Sequence, residues 1–411
     1  MSNRKTWWIV TMLSATATAG YIARVNVSTA APLLMKEFGL SQVAMGKIFS
    51  AFLLGYALFQ IPSGALADKW GARRVLTIAA WFWVIFTVLQ SVVGWGAFQA
   101  SAGASVILFM VIRFFLGITA SPTYPGAAQG VSKWVLPHQQ GRANGIVIAS
   151  IGLGSAIAPP LVSNVMVHWG WRPAIVVSAL PALIIALIWL RIREPKRINE
   201  EKKAIETLDE SNVKKGSGKL KSPAFILLTI SYTLQGYVGY IFVSWFYLYL
   251  VQERHFGLLS GAWMSSLPWV LSIISIPLGG YLSDRLAAGR RGPVMGRRII
   301  PIFGMVGSGV LISIGAHTGN AVMAALSLAF ATALILCVEG PFWTMMMRIA
   351  GEKSGTAGGI MNMGSNIGGL ISPALTPLIA SWIGWENALH VAAVIAIAGG
   401  LLWFRIKPVI S

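Results

Sequence analysis

Arg24 is a cation inside a long apolar stretch, in the segment YIARVN that covers residues 21–26. A guanidinium carries five N–H donors in a fixed fork and keeps its charge, so it suits a carboxylate or a phosphate. Asn26 follows it closely, and Tyr56 lies in the next apolar stretch. An arginine with phenol and amide donors nearby predicts a binding site for an organic anion.

Glu339 and Arg113 are the other charged residues that fall within apolar stretches. Of the 13 acids, all but Glu339 fall in loops or at helix ends. Charged groups at membrane depth are costly and usually face a functional cavity. Arg113 could instead lie near an interface. Glu339 could couple transport to an ion, balance an arginine, or bind Na⁺ or a cationic group of a zwitterionic substrate.

Polar and aromatic side chains in the second half extend the predicted substrate-binding set. They are Gln235, Tyr240, Trp343 and Asn362. Aromatic residues at helical spacing also serve in packing and at membrane interfaces, so each aromatic keeps that alternative.

The composition predicts an all-α integral membrane protein. The chain has 411 residues, of which 55% are hydrophobic and 11% are charged, far below the charged fraction of a soluble domain. Apolar stretches of the length that crosses a bilayer recur along it. We predict twelve transmembrane helices, at about 7–34, 42–66, 75–98, 103–134, 142–167, 173–191, 223–252, 258–283, 298–316, 320–349, 356–381 and 387–406.

The net charge of +19 predicts a topology rather than nucleic-acid binding. Most lysines and arginines fall in the loops on one side of the predicted helices, and positive residues accumulate on the cytoplasmic side. We therefore expect a multi-pass protein of the cell inner membrane with both termini cytoplasmic, in contact with the lipid bilayer. The single cysteine, Cys337, excludes an internal disulfide.

The two halves of the chain repeat each other. Gly145, Pro159 and Trp171 match Gly359, Pro373 and Trp385 at one constant offset. The charged segment between the halves predicts a linker. We predict an N-terminal six-helix bundle over 1–191, a cytoplasmic linker over 192–222 and a C-terminal six-helix bundle over 223–411. Two parallel repeats of this kind describe one common transporter architecture.

A charged motif follows the second predicted helix and recurs after the eighth. The stretches are GALADKWGARR, residues 64–74, and GGYLSDRLAAGRRGPVMGRR, residues 279–298. They resemble the signature loop of the major facilitator superfamily, which implies the major facilitator fold. Carboxylates here can bind helix N-termini and arginines. We expect a conformational gate that latches the halves on the cytoplasmic side, with a simple helix cap as the alternative; its residues are Asp68, Arg73, Asp284 and Arg285.

Several longer stretches resemble the anion:cation symporter family, which includes bacterial sugar-acid transporters, sialin and the vesicular glutamate transporters. They include YIARVNVSTAAP, FSAFLLGYALFQIPSG and GGIMNMGSNIGGLISP. The resemblance implies that the substrate carboxylate contacts Arg24 and Tyr56. Three further residues match positions of the family: Arg113 matches an arginine of the fourth helix, Asn362 an asparagine of the eleventh, and Trp343 lies near an aromatic of the tenth.

Two positions depart from that family. Proton-coupled members have an acid just before the first-helix arginine and another in the fourth helix, where this chain has Ala23 and Ala120. Glu339 is the acid able to replace them. We therefore expect Glu339 to pair with a cavity arginine when the transporter is empty. When the substrate binds that arginine, we expect Glu339 to take up a proton.

The sequence therefore predicts a secondary active transporter of a small organic anion, a carboxylate such as a sugar acid, working by alternating access. We expect ion-coupled symport with H⁺ or Na⁺ and a monomer. Alternatives are a multidrug or cation antiporter that uses Glu339, and a uniporter or exchanger of anions. No enzyme motif, cofactor or metal site is expected, and a sensor would need a soluble signalling domain that no segment is long enough to form.

Overall fold

Helices make up the computed structural model, and its described residues include no β-strand. The structure describes residues 3–95, 101–135, 137–192, 220–289, 292–350 and 353–406. Most of the predicted linker, residues 193–219, lies outside this part of the chain. By its internal contacts the chain divides into two compact units, which comprise Met1–Leu40 with Ala51–Lys214, and Ser41–Ser50 with Lys215–Ser411.

The first unit contains helices of the N-terminal half. These are α1 (Asn3–Phe38), α2 (Gln42–Trp70), α3 (Ala72–Ser91), α4 (Ala102–Ala120), α5 (Thr123–Trp134), α6 (Pro137–Trp169), α7 (Trp171–Ser178) and α8 (Leu180–Arg191). The start of α2 belongs to the second unit. Glycines with positive φ, Gly71 and Gly170, separate α2 from α3 and α6 from α7, because such angles strain other residues.

The second unit contains helices of the C-terminal half. These are α9 (Pro223–Ser244), α10 (Phe246–Gln252), α11 (Leu258–Ala288), α12 (Gly292–His317), α13 (Ala321–Cys337), α14 (Glu339–Ala350) and α15 (Ser354–Leu401). Gly384, at φ 82°, breaks α15 into two helices. The early turns of α2 pack within this unit, where the Ser50 hydroxyl donates to the Leu370 carbonyl at 2.8 Å.

The described helices account for the twelve predicted spans. Ten helical segments are long and apolar enough to cross a membrane. One of them, Thr356–Phe404, covers two predicted spans that meet at Gly384. The remaining span is α1, whose Arg24, Asn26 and several hydroxyl residues lower its hydropathy. The predicted twelve-helix membrane fold is thus confirmed.

Two glycines let α2 and α4 approach closely. A Cβ atom at Gly117 would overlap the carbonyl oxygen of Phe52, and one at Gly55 would overlap the carbonyl oxygen of Phe114. Small residues at such crossings are what membrane helices use to pack. This contact places Phe52 and Tyr56 of α2 against α4.

We expect Gly117→Ala to lower the thermal midpoint of the detergent-solubilised protein by about 5 °C, because overpacking a helix contact costs about 1–3 kcal/mol. The matched control is Gly145→Ala in α6, where an added Cβ meets nothing within 4 Å. The thermal midpoints are measured by tryptophan fluorescence. Equal midpoints for the two variants would show that the α2–α4 contact tolerates an added methyl group.

In each half, an arginine donates hydrogen bonds to backbone carbonyls at the end of the last helical segment. Arg73 at the start of α3 donates to the carbonyls of Trp189 and Leu190, at 3.3 and 3.1 Å. Arg298 near the start of α12 donates through two nitrogens to the Ile406 carbonyl. Carbonyls at a helix end lack intrahelical donors, so both arginines satisfy groups that would otherwise need water. The sequence repeat therefore extends to side-chain function.

Glu37 joins the end of α1 to the start of α7. Its carboxylate accepts a bond from the Trp171 indole at 2.6 Å and pairs with Arg172, also at 2.6 Å. Burial by itself would raise the pKa of Glu37, but the hydrogen bonds from Arg172 and Trp171 and the Arg172 charge outweigh it, so the pKa is lowered.

A lowered pKa in the folded state means that the Glu37 contacts stabilise the protein above the ordinary carboxylate pKa and stop doing so as the pH falls through the folded value. We expect Glu37→Gln to lower the thermal midpoint at pH 7, and we expect the difference from the wild type to disappear as the pH falls through the folded pKa of Glu37. The effect is small, at most about 1 kcal/mol, because the carboxylate is 39% exposed. A gap between the two midpoints that stays constant with pH would contradict this account.

Candidate functional site

Arg24 lies buried on α1 with aromatic rings around its guanidinium. The Cζ atom is 5.1 Å from the ring centroids of both Tyr21 and Phe52 and 5.3 Å from that of Tyr56. The Nη1 atom donates to the Tyr21 hydroxyl at 3.1 Å. Ring faces attract a cation without neutralising it. The predicted pair Arg24 and Tyr56 is therefore brought together, with Tyr21 and Phe52 added to it.

Arg113 of α4 contacts the backbone of Arg24. Both of its Nη atoms donate to the Arg24 backbone carbonyl at 3.2 Å, and its Cζ atom lies 4.8 Å from the Phe52 ring centroid. Its side chain is almost fully buried. Arg113 thus fixes the α1 backbone at Arg24 and adds a second positive charge to the same region. The coupling role predicted for Arg113 stays a prediction.

The described part of the first unit contains two acids, and both lie away from this pair. Glu37 is engaged by Arg172 and Trp171. Asp68 is exposed near the end of α2, about 18 Å along the helix from Tyr56 at 1.5 Å per residue. Ala23 and Ala120, at the two positions where the family resemblance implied acids, are both buried. The first unit therefore places two buried cations beside neutral side chains, which favours binding of an anion.

Further hydroxyl and amide groups lie next to this site. The Tyr124 hydroxyl is 3.3 Å from that of Tyr21, and the Gln60 amide donates to the Tyr56 hydroxyl at 3.4 Å. Tyr21, Tyr124 and Gln60 were not among the residues predicted from the sequence. Tyr21 and Gln60 are one helical turn from Arg24 and Tyr56 respectively, so this spacing was the signal that could have found them.

Glu339 is the first residue of α14 and accepts hydrogen bonds from α9. The Tyr232 hydroxyl donates to its Oε2 atom at 2.7 Å, and the Gln235 amide donates to its Oε1 atom at 3.0 Å. The Trp343 indole lies beside the same carboxylate, one turn along α14. Glu339 is half-buried and forms no ion pair shorter than 4 Å with any residue that the structure describes.

The structure thus joins Gln235 and Trp343, which were predicted as substrate contacts, with Glu339, which was predicted to couple transport to an ion. Of the other predicted substrate contacts, Tyr240 is half-buried on α9 and packs where Gly369 leaves room for its ring. Asn362 is half-buried on α15. Their roles as substrate ligands stay predictions.

Two of the four predicted gate residues, Asp284 and Arg73, have partners within their own units. Asp284 pairs with Arg297 at 2.8 Å, while Arg285 is exposed. Arg73 serves the end of α8, as described above, and Asp68 is exposed. Asp284 therefore binds an arginine in the first turns of α12, as the motif analysis expected of a neighbouring arginine, although Arg297 was not the one singled out. A gating role for any of these residues stays a prediction.

The family model for the Major Facilitator Superfamily matches residues 8–373. The chain belongs to this superfamily. It is therefore a membrane transporter and not an enzyme, and the fold and family expected from its motifs are confirmed. No group of three or more histidine, cysteine or acidic residues that could hold a metal ion occurs within the described ranges.

Sequence relatives of the chain are named as transporters of organic acids. It is 29% identical over 402 residues to "Probable sulfoacetate transporter SauU" of Cupriavidus necator, covering 95% of this chain and 91% of that protein. It is 29% identical to "Probable galactarate/D-glucarate transporter GudP" of Bacillus subtilis, with coverage of 93% and 87%. The "Hexuronate transporter" of the same organism is 26% identical, with coverage of 98% and 95%. The predicted resemblance to sugar-acid transporters is confirmed.

Solved structures share the fold at low sequence identity. A bacterial homologue of the lysosomal transporter Spinster, in an inward-facing and occupied conformation, superposes with a TM-score of 0.80 at 17% identity, covering 99% of this chain and 97% of that chain. A D-xylose-proton symporter gives a TM-score of 0.78 at 15% identity, with 98% of each chain covered. At these identities the likeness concerns the fold alone.

Proposed function

We propose that this protein transports a small organic anion across the cell inner membrane by alternating access, with both termini in the cytoplasm. The observation that carries the proposal is the buried guanidinium of Arg24, which lies among the rings of Tyr21, Phe52 and Tyr56, with the second buried cation, Arg113, bonded to its backbone. Burying a charge is costly unless something compensates it. A second cation beside Arg24 raises this cost, and an acid group of the substrate lowers it.

The names of the relatives narrow the substrate class. They specify sulfoacetate, galactarate, D-glucarate and hexuronates, which are small acids rich in oxygen. We propose a substrate of this class, with Arg24 and Tyr56 as contacts of its acid group and with Asn362, Gln235, Tyr240 and Trp343 as further contacts.

We further propose that transport is coupled to an ion and that Glu339 carries the coupling. The two neighbours that bond to it in the second unit, Tyr232 and Gln235, are uncharged donors. Among these three side chains, Glu339 is therefore the one whose protonation changes the net charge. We propose H⁺ as the coupling ion, because one carboxylate is enough to carry a proton, whereas Na⁺ needs several oxygen ligands.

Uptake by the purified protein in proteoliposomes tests the proposed function. The panel consists of sulfoacetate, galactarate and glucuronate, under separately imposed proton and sodium gradients. We expect accumulation of at least one acid with an inward proton gradient and equilibration without it. Accumulation that follows the sodium gradient instead would contradict the proton assignment, and transport of none of the acids would contradict the substrate class.

Antiport of an organic cation is the second candidate function, because Glu339 is an acid without an ion pair shorter than 4 Å among the described residues. It requires no contribution from Arg24. Efflux of a cationic dye from energised vesicles, unchanged by Arg24→Gln, would favour this candidate over anion transport.

A further inference from the structure

Tyr21 and Tyr124 form a pair of phenols beside Arg24. Tyr21 is held in place by α6, where a Cβ atom at Gly154 would lie only 2.9 Å from the Tyr21 Cβ atom. Tyr124 follows the break between α4 and α5 at Ser121 and Pro122. Their hydroxyl oxygens are 3.3 Å apart, and both side chains are half-buried.

Either phenol can donate in the bond between Tyr21 and Tyr124, and the contact with Arg24 favours Tyr21 as the donor. Arg24 can only donate, so the Tyr21 oxygen accepts from its Nη1 atom at 3.1 Å. The Tyr21 proton then has the Tyr124 oxygen as the acceptor that the structure places within reach. With Tyr21 as the donor, the Tyr124 proton points away from Tyr21. No acceptor for it is found among the described residues.

We propose that Tyr21 and Tyr124 form a relay that extends the Arg24 site to a further oxygen of the substrate, so that Tyr124 is a specificity-determining residue. The proposal rests on the proposed function, because it takes the acid group to bind at Arg24. A phenol polarised by a guanidinium through one hydrogen bond is a stronger donor than an isolated phenol. A half-buried donor also favours a ligand that satisfies it over one that leaves it unpaired.

The relay selects acids that offer a third acceptor oxygen. A plain carboxylate has two oxygens, and the guanidinium fork can bind both. The Tyr124 hydroxyl is linked to the Arg24 Nη1 atom through the Tyr21 hydroxyl, and it donates a hydrogen bond to an additional oxygen of the substrate. That oxygen belongs either to a hydroxyl on the carbon next to the carboxylate or to a sulfonate group.

Binding to the purified full-length protein in detergent, measured by isothermal titration calorimetry, tests the relay with two ligand pairs. One pair is D-gluconate and 2-deoxy-D-gluconate, and the other is ethanesulfonate and propionate. We expect the wild type to prefer the ligand with the third oxygen by about tenfold in at least one pair, because a site built to bond an oxygen rejects the analogue that lacks it. The pair that shows the preference identifies where that oxygen is carried.

We expect Tyr124→Phe to reduce this preference to within about twofold while the affinity for the poorer ligand of the pair stays unchanged. Tyr21→Phe should reduce the preference to the same extent. The double variant should show no further reduction, because the effects of residues in one hydrogen-bond network are not additive. The control is Tyr237→Phe in the second unit, whose hydroxyl bonds to Thr376 at 3.1 Å. This variant should keep the full preference.

The relay is overturned if the wild type shows no preference in either pair, if Tyr124→Phe keeps the preference, or if it weakens both ligands of a pair equally. Arg24→Gln separates this failure from failure of the proposed function. Weaker binding of all acids by Arg24→Gln, with Tyr124→Phe unchanged in preference, refutes the relay alone. Unchanged binding by Arg24→Gln refutes the anion site itself.

Discussion

Replacing Arg24 with lysine should lower the rate of organic-acid uptake by about a hundredfold, because truncating a buried hydrogen-bonded charge contact costs about 2–5 kcal/mol. Lysine keeps the charge but lacks the planar fork that binds two oxygens and stacks on rings. In this site the guanidinium lies within 5.3 Å of three ring centroids. An ammonium cannot keep these contacts and bind both oxygens of an acid.

The control for this variant is Arg254→Lys in the second unit. Arg254 donates to the carbonyls of Gly315, Ala316 and Thr318 at the end of α12, outside the predicted site. We expect Arg254→Lys to reduce stability but to retain uptake once the amount of folded protein is matched by size-exclusion chromatography. Equal uptake by Arg24→Lys and the wild type would remove Arg24 from the substrate site.

Glu339→Gln should abolish accumulation driven by a proton gradient while exchange of internal for external substrate continues. A gradient of two pH units stores about 2.7 kcal/mol per proton, enough for roughly hundredfold accumulation of the substrate at one proton per anion. Glutamine still accepts the Tyr232 hydrogen bond, so the α9–α14 contact persists. What is lost is the ability to change charge.

Glu253→Gln is the matched control, since Glu253 is an exposed acid that directly follows α10 in the same unit. We expect full accumulation from this variant. Counterflow of labelled substrate separates the two functions, because it needs binding and alternation but no driving ion. Full accumulation by Glu339→Gln would show that the proton is carried elsewhere, and loss of counterflow together with accumulation would assign Glu339 to substrate binding.

Hydropathy and repeat patterns in the sequence predicted the helices well, because length and apolarity are what a bilayer demands of a spanning segment. The chemistry of the two side chains and the family resemblance predicted that Arg24 and Tyr56 belong to one site. The guanidinium and the phenol ring do meet in the first unit, although no feature of the sequence gives their distance. Both helices contact α4, since Arg113 bonds to the Arg24 carbonyl of α1 and since Gly55 and Gly117 allow α2 to approach α4 closely.

Side-chain partners across helices were harder to predict. Asp284 pairs with Arg297 and not with Arg285, because adjacent residues on a helix point in different directions and the chain returns at the start of α12. Tyr124 lies just after the turn at Ser121 and Pro122 that separates α4 from α5, and its contact with Tyr21 joins segments about a hundred residues apart. The contact between Gln235 and Glu339 joins segments about a hundred residues apart and needed the fold itself.

The central claim is that an acid group of the substrate binds the guanidinium of Arg24. The most direct measurement compares the affinities of the detergent-solubilised protein for an organic acid that it transports and for the neutral amide of that acid, in the wild type and in Arg24→Gln. We predict that the wild type prefers the acid by about a hundredfold and that Arg24→Gln loses most of this preference, because the charged contact is the difference between the two ligands. An undiminished preference for the acid in Arg24→Gln would contradict the claim.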